Sequence, residues 1–495
     1  MTGKPSSFPA GAVVVLLGSS LLLLAAGSAV AVADAGSGSA TMAGDADATA
    51  VAAGSQGALA GSGQSNVEFV STETEERGDI VEIQLTGLSA EYVTVTLGSS
   101  DAGYQSNVTI RDDGDGIVRL RWNSYLADAD QSGDGNPWST TGGDSVVAQN
   151  VRTTIADGPE HIITAGNYRV AARDGRIRDG AASDPPDALT DISLTQRSTD
   201  SIETFTAPNS LATELTSPAD VSSRIGDTVT GAEDIAKNDL LITRIEASGL
   251  AGALRAQDEG DATANFYGAV ADDVVRLNHT EILGEASNRN ADVIPVTALE
   301  TGESVTVLAD YEDGTYYVVY ETAGDDRLQP LDAFETQFTV ESRHRSLSNF
   351  GLVPPNASRS FEDTVLADEF EVVRGTYDIA TTPSGTVQVR AESGQTIGGT
   401  SSYAPGTTLS VSLRSKDGSS SQFVIGPREV AVDSDGRWAS TFDFSSYNVG
   451  ATFTVSLERG NEEATTADGE IRGPPEVLTL EFDDQSSRGS VAAIT

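Results

Sequence analysis

The chain has 495 residues, no cysteine, and 74 Asp and Glu against 30 Lys and Arg, for a formal charge of −44. Without cysteine there is no disulfide framework, no thiol nucleophile and no thiolate zinc or iron–sulfur site. A surface of carboxylates also repels the phosphates of nucleic acid, so no nucleic-acid partner is expected.

The length suggests about three domains, at roughly 150 residues each. Asp (43) exceeds Glu (31), and lysine occurs only at Lys4, Lys237 and Lys416. Acidity of this degree suggests disorder when apolar residues are scarce. Here 38% of residues are hydrophobic, and they alternate along many segments, so a core is expected. The reading is a folded protein suited to concentrated salt. Carboxylates hold water and ions, whereas lysine stems would expose methylenes. Self-repulsion is tolerable where the Debye length falls to about 3 Å, at ~1 M salt. An ordinary acidic secreted protein is the alternative.

Ala10 to Ala33 carries no charge, with apolar runs at Val13–Leu17 and Leu21–Ala26. It ends in Ala31-Val32-Ala33, followed by Asp34. Small residues at the first and third positions before a cut suit a signal peptidase, which would cleave between Ala33 and Asp34. The stretch is also long enough to span a bilayer as an uncleaved anchor, the sole membrane contact expected. Either way the remainder is placed outside the membrane. Residues 34–65 are Gly, Ala, Ser and Asp without periodicity, which predicts a flexible linker.

Period-two patterns begin near Asn66 and predict an all-β chain of tandem immunoglobulin-like β-sandwich domains. In a first module, 66–208, Val81, Ile83 and Leu85 alternate with polar residues, as do Val93, Val95 and Leu97, then Val118, Leu120 and Trp122. A second module, 209–345, has strands at Leu240–Glu246, Ser304–Ala309 and Tyr316–Glu321, the last two joined by Asp313-Gly314. Loops and one short helix are expected in 218–238 and 283–292. A third module, 346–475, opens after Pro354-Pro355 and includes Phe370–Arg374, Thr386–Arg390, Leu409–Leu413, Arg437–Phe442 and Thr452–Leu457. Residues 476–495 begin one more strand, Val477–Phe482, of the third domain or of a truncated module.

Several short motifs, in order, carry a resemblance. They are Arg77-Gly78-Asp79-Ile80, Asn107-Val108-Thr109, Gly166-Asn167-Tyr168 and Gln196-Arg197-Ser198-Thr199-Asp200. Next come Lys237-Asn238-Asp239, Glu246-Ala247-Ser248-Gly249-Leu250, Ala404-Pro405-Gly406-Thr407 and Phe442-Asp443-Phe444-Ser445. The chain resembles haloarchaeal cell-surface, S-layer-like glycoproteins, and its third module resembles their BGTF surface domain. The resemblance implies a non-catalytic exported structural glycoprotein, N-glycosylated and cation-dependent. Its expected partners are other surface-layer subunits, copies of itself, and glycans. A secreted adhesin or carbohydrate-binding module is the alternative.

Three sequons, at Asn107, Asn278 and Asn356, are candidate glycosylation sites where exposed. Asp128, Asp130, Ser132 and Asp134 follow the alternate-ligand spacing of a calcium loop, with Gly133 at the sixth position. The twelfth position is Ser139, not Glu, so only weak binding of calcium or magnesium is expected, and a solvated loop is the alternative. Asp112, Asp113 and Asp115 form a second acidic cluster. No cofactor is required. The three histidines, His161, His279 and His344, lie far apart and outside any metal-binding pair, and no nucleophile elbow or phosphate loop is present. Glu160-His161 could be an acid–base pair, but neighbours on a strand face opposite ways. Trp122, Trp138, Trp438, Tyr316, Tyr317 and Tyr320 could line a sugar platform or pack a core. Trp138, after a Gly/Asn/Pro loop, is the one expected at the surface.

Overall fold

The computed structural model describes residues 66–99, 103–127, 136–153, 163–176, 185–296, 305–340 and 364–474, apart from 73, 259, 273, 285–286 and 461. Within them the regular structure is mainly strand, in six sheets that pair as three successive sandwiches, with a few short helices between strands.

In the first module, one sheet runs Glu68–Thr72, Ile80–Thr86, Ile117–Asn123, Trp138–Thr141. The other runs Thr74–Glu76, Ala188–Thr195, Gly166–Asp174, Tyr92–Ser99, Tyr104–Arg111, Ser145–Thr153. Successive strand residues face opposite ways, so Val81, Ile83 and Leu85 turn inward while Glu82 stays outside. They meet Val93, Val95 and Leu97 from the other sheet across one core, with Trp122 at its centre.

The second module pairs Thr230–Gly231, Thr199–Ala207, Leu240–Ala247, Thr315–Glu321 and Val305–Asp310 in one sheet. Its partner sheet holds Asp234–Ala236, Thr364–Val373, Ala333–Val340, Val275–Glu281 and Val293–Pro295. A short helix starts at Pro218, with the Ser217 side chain accepting from the Asp220 N–H and proline at the first position. A longer helix, Ala262–Ala271, was not foreseen. Its residues are apolar or small on nearly every side, so the amphipathic period that marks a helix is weak, but Asp261 caps it and Phe266 and Ala269 seat it on the core.

The third module pairs Tyr377–Ile379, Gln395–Ser401 and Arg437–Phe442 against Thr386–Arg390, Thr465–Arg472, Thr452–Glu458, Thr408–Ser415 and Val424–Ala431. Its core centres on Phe442, Phe444 and Phe453.

Two expected boundaries shift. Thr199–Ala207, assigned to the end of the first module, pairs with Leu240–Ala247, so the second module begins just after Ser198. Thr364–Val373, assigned to the third module, pairs with Ala333–Val340 and belongs to the second. Turn signals mark where the chain bends; they do not say which sheet the next strand joins.

One topological feature recurs. An early short strand lies parallel to the module's last strand: Thr74–Glu76 with Ala188–Thr195, Asp234–Ala236 with Thr364–Val373, and Thr386–Arg390 with Thr465–Arg472. The chain then turns and crosses to the opposite sheet. In the first two modules that turn faces the next module.

Candidate functional site

The aromatic residues do not form a platform. Trp122, Trp138 and Trp438 are buried, as are Tyr316, Tyr317 and Tyr320. Trp138 is only 3% exposed: its ring packs beside Trp122, 6.1 Å between centroids, and its Nε1–H donates to Ser106 Oγ at 2.6 Å. The flanking loop residues suggested exposure, but an inward strand position decided the matter. His279 is also buried, against Phe370, with Nδ1 2.9 Å from Thr336 Oγ1. Burial pushes its pKa down to about 4, so it is a neutral packing residue near pH 7. His161 and His344 lie outside the described residues, as does Glu160.

Of the sequons, Asn107 lies on Tyr104–Arg111 between two neighbouring strands, half-buried, and its Oδ1 accepts from Thr96 Oγ1 at 2.9 Å. Asn278 lies half-buried on Val275–Glu281 between Gln337 and Pro295. Asn356 lies outside the described residues, as do Asp128, Asp130, Ser132, Asp134, Ala33 and Asp34.

The second acidic cluster has a different membership from the one expected. Asp112 and Asp113 are joined by Asp144, all three carboxylates within 4.8 Å of one another, while Asp115 turns to its own loop through the Ile117 N–H. Asp144 takes N–H bonds from Asp113 and Arg119 at 3.2 and 3.3 Å. Desolvation raises the Asp144 pKa, the two backbone donors oppose this, and the Asp112 and Asp113 charges add to it. A cation placed among the three would relieve that repulsion.

The most elaborate chemistry lies where modules meet. At the first seam, the turn Arg77-Gly78-Asp79 projects from module 1 into the Ser248–Gly252 segment of module 2. The Gly249 and Ala251 N–H groups donate to Asp79 Oδ2 and Oδ1, each at 2.9 Å. The Gly252 N–H donates to the Gly78 carbonyl and Asn123 Nδ2 to the Gly252 carbonyl, also at 2.9 Å. Backbones approach so closely that a Cβ on Gly252 would fall onto the Gly78 carbonyl oxygen and Asn123 Oδ1. Gly249, at φ +72°, would put a Cβ 2.5 Å from the Arg77 carbonyl oxygen. Tyr125 of module 1 packs on the module 2 core.

The second seam repeats the plan. The turn Lys237-Asn238-Asp239 of module 2 meets the Tyr403–Thr407 segment of module 3, and the Ala404 N–H donates to Asp239 Oδ2 at 2.7 Å. Asp239 is fully buried and its Oδ1 has no hydrogen-bond partner. Arg459 Nη2 stands 4.0 Å from that oxygen, but the guanidinium donates to the Asn238 carbonyl and stacks 3.7 Å over the Tyr403 ring.

The two turns match atom for atom within their own modules. A hydroxyl beside each turn accepts the N–H before the aspartate and donates to the aspartate carbonyl: Ser124 to Gly78 and Asp79 (2.8 Å each), Thr322 to Asn238 (3.0 Å) and Asp239 (2.8 Å). In module 3 the Glu392 carbonyl of the turn accepts from the Phe444 N–H, with no hydroxyl there. Burial raises the pKa of both aspartates, Asp79 to about 6 and Asp239 to about 7, against the backbone N–H bonds that lower it.

Residues 59–175 match a family model described as a domain of unknown function, DUF7827. Over 422 residues, 84% of this chain, the sequence is 30% identical to the cell surface glycoprotein of Haloferax gibbonsii. Over 460 residues, 88% of this chain, it is 26% identical to cell surface glycoprotein 2 of Haloarcula hispanica.

The chain is similar to haloarchaeal cell surface glycoproteins.

It spans about half the length of the curated relatives it matches, 45% and 48%. Among solved structures, a Dpr2–DIP-Theta immunoglobulin complex matches at 8% identity over 82% of this chain and 99% of that one, with a TM-score of 0.21, too low to carry an argument. Several short motifs behind the family resemblance now have a place: Arg77–Ile80 and Arg197 meet Ser248–Leu250, and Lys237–Asp239 meets Ala404–Thr407.

Proposed function

We propose that the chain is a non-catalytic, exported structural glycoprotein of a halophilic archaeal cell surface, a surface-layer subunit or a component attached to one. The observation that carries this reading is the pair of seams. Each joins consecutive sandwiches through a buried carboxylate and main-chain hydrogen bonds, which suits an element that transmits load rather than one that turns over a substrate. The names of the relatives support the location, and the burial of the aromatic candidates favours this reading over a sugar-binding module.

The acidic coat keeps the chain soluble in brine, and divalent ions at loops such as Asp112–Asp113–Asp144 bridge it to neighbouring subunits or glycans. Circular dichroism and melting, from molar salt to dilute buffer, test the salt requirement: the reading expects unfolding at low salt, and an unchanged curve contradicts it. Calcium at fixed ionic strength is expected to raise the melting temperature and protease resistance. Mass spectrometry of the native protein checks Asn107, Asn278 and Asn356; unmodified peptides at all three remove the glycoprotein part of the proposal.

A further inference from the structure

The two seams differ in how completely they satisfy their carboxylates, and the difference implies behaviour as well as architecture. Asp79 has an N–H bond on each oxygen, whereas Asp239 has one on Oδ2 and none on Oδ1, with no exposed surface. A buried charge there, with no hydrogen bond on Oδ1 and Arg459 4.0 Å away and shared with other groups, is costly; a neutral carboxyl is not. We infer that Asp239 is a proton-controlled latch between the second and third modules, closed when its carboxyl is neutral and loosened when it is charged.

The surroundings of Asp239 are consistent with this. Charged and titratable groups reach it from the third module's Arg459–Glu463 loop, as Arg459 and Glu462, and from the preceding segment as Tyr403. Arg459 is divided among Asn238, Tyr403 and Glu462, the last at 3.6 Å, so it does not close a fork on Asp239. Lys237, next but one in the turn, points the other way and donates to the Asp325 carbonyl at 2.5 Å. Burial dominates, the Ala404 N–H and Arg459 oppose it, and the Glu462 charge adds to it, so the docked carboxyl binds its proton up to about pH 7.

The direction of the response follows from linkage. Undocked, Asp239 is exposed to water and titrates near its ordinary 3.8; docked, it titrates near 7. The docked state therefore binds the extra proton. Docking is strongest below the ordinary value, weakens as pH rises toward 7, and is level above it. Asp79 follows the same course over a narrower range, toward about 6, with its two N–H donors opposing the effect of burial. Its neighbours are Glu75, Glu76, Arg77, Arg197 and Tyr316.

Because the chain has no cysteine, two introduced cysteines carry spin labels uniquely. Exposed Glu312 in module 2 and Asp435 in module 3 serve for labelling, as Glu312→Cys and Asp435→Cys. Distances measured by double electron–electron resonance, in molar salt, are expected to be narrowly distributed at about pH 5 and broad at about pH 8, on either side of the docked value near 7. Asp239→Asn keeps an acceptor for the Ala404 N–H and cannot ionise, so its distribution is expected to stay narrow at both. A wild-type distribution that does not change with pH overturns the latch. An Asn variant that broadens as the wild type does assigns the change to other groups and overturns it too. An Asn variant that is broad at every pH shows that docking needs the charge, the opposite of the proposal.

Discussion

The two seams make the same connection with different chemistry. Module 1 meets module 2 through main-chain donors: both oxygens of Asp79 are satisfied, and two glycines let the backbones touch. Module 2 meets module 3 through one donor, a stacked arginine and an oxygen without a partner. The carboxylate with two N–H bonds is displaced to about pH 6 and the one with a single bond to about 7. Burial pushes both acids up, and the backbone donors at each oppose it, two at Asp79 and one at Asp239. At the matching turn of module 3 the Phe444 N–H donates to the Glu392 carbonyl, and Phe444 stands where the first two modules place a hydroxyl.

Substitutions can break this comparison or sharpen it. The largest effect is expected from Asp79→Ala, which leaves two buried N–H groups without an acceptor, at about 1–3 kcal/mol each. Chemical denaturation in molar salt would show the loss, and protease would cut between the first two modules. Asp239→Ala strands only one N–H and removes the unpaired oxygen, so its loss is expected to be the smaller of the two under the same assay. Gly252→Ala is expected to cost about 1–3 kcal/mol, because the added methyl meets main-chain atoms that cannot rotate away. It separates modules 1 and 2 and leaves the second seam intact, as a label pair across each seam would report. The smallest effect is expected from Arg111→Ala. Its partner Glu91 is 2.9 Å away, but both side chains are more than half exposed, and such pairs contribute about 0–1 kcal/mol before molar salt screens them. Its melting temperature should match the wild type.

Much of the fold was legible in the sequence because strand alternation is local. Val81, Ile83 and Leu85 announce their inward face within six residues, and Asp313-Gly314 marks its own hairpin turn. Module membership was less legible. Thr199–Ala207 and Thr364–Val373 look like strands of either neighbour until their pairing is known. Trp138 misled for the opposite reason: a polar loop before it suggested exposure, while its fate was set by Ser106 and Trp122 from distant strands. The seams were hidden altogether as chemistry. Asp79 and Gly249 stand 170 positions apart, Asp239 and Ala404 165. Only the short motifs around them, Arg77–Asp79 and Lys237–Asp239, hinted that those turns mattered.

Scanning calorimetry in molar salt is the most direct measurement of whether the modules are joined as described. At about pH 5, where the docked Asp239 carboxyl is neutral, the account predicts that the wild type melts with modules 2 and 3 coupled, and that Asp239→Ala releases module 3 as a separate transition at lower temperature. Transitions that are already independent in the wild type, and unmoved by Asp79→Ala or Asp239→Ala, would contradict it.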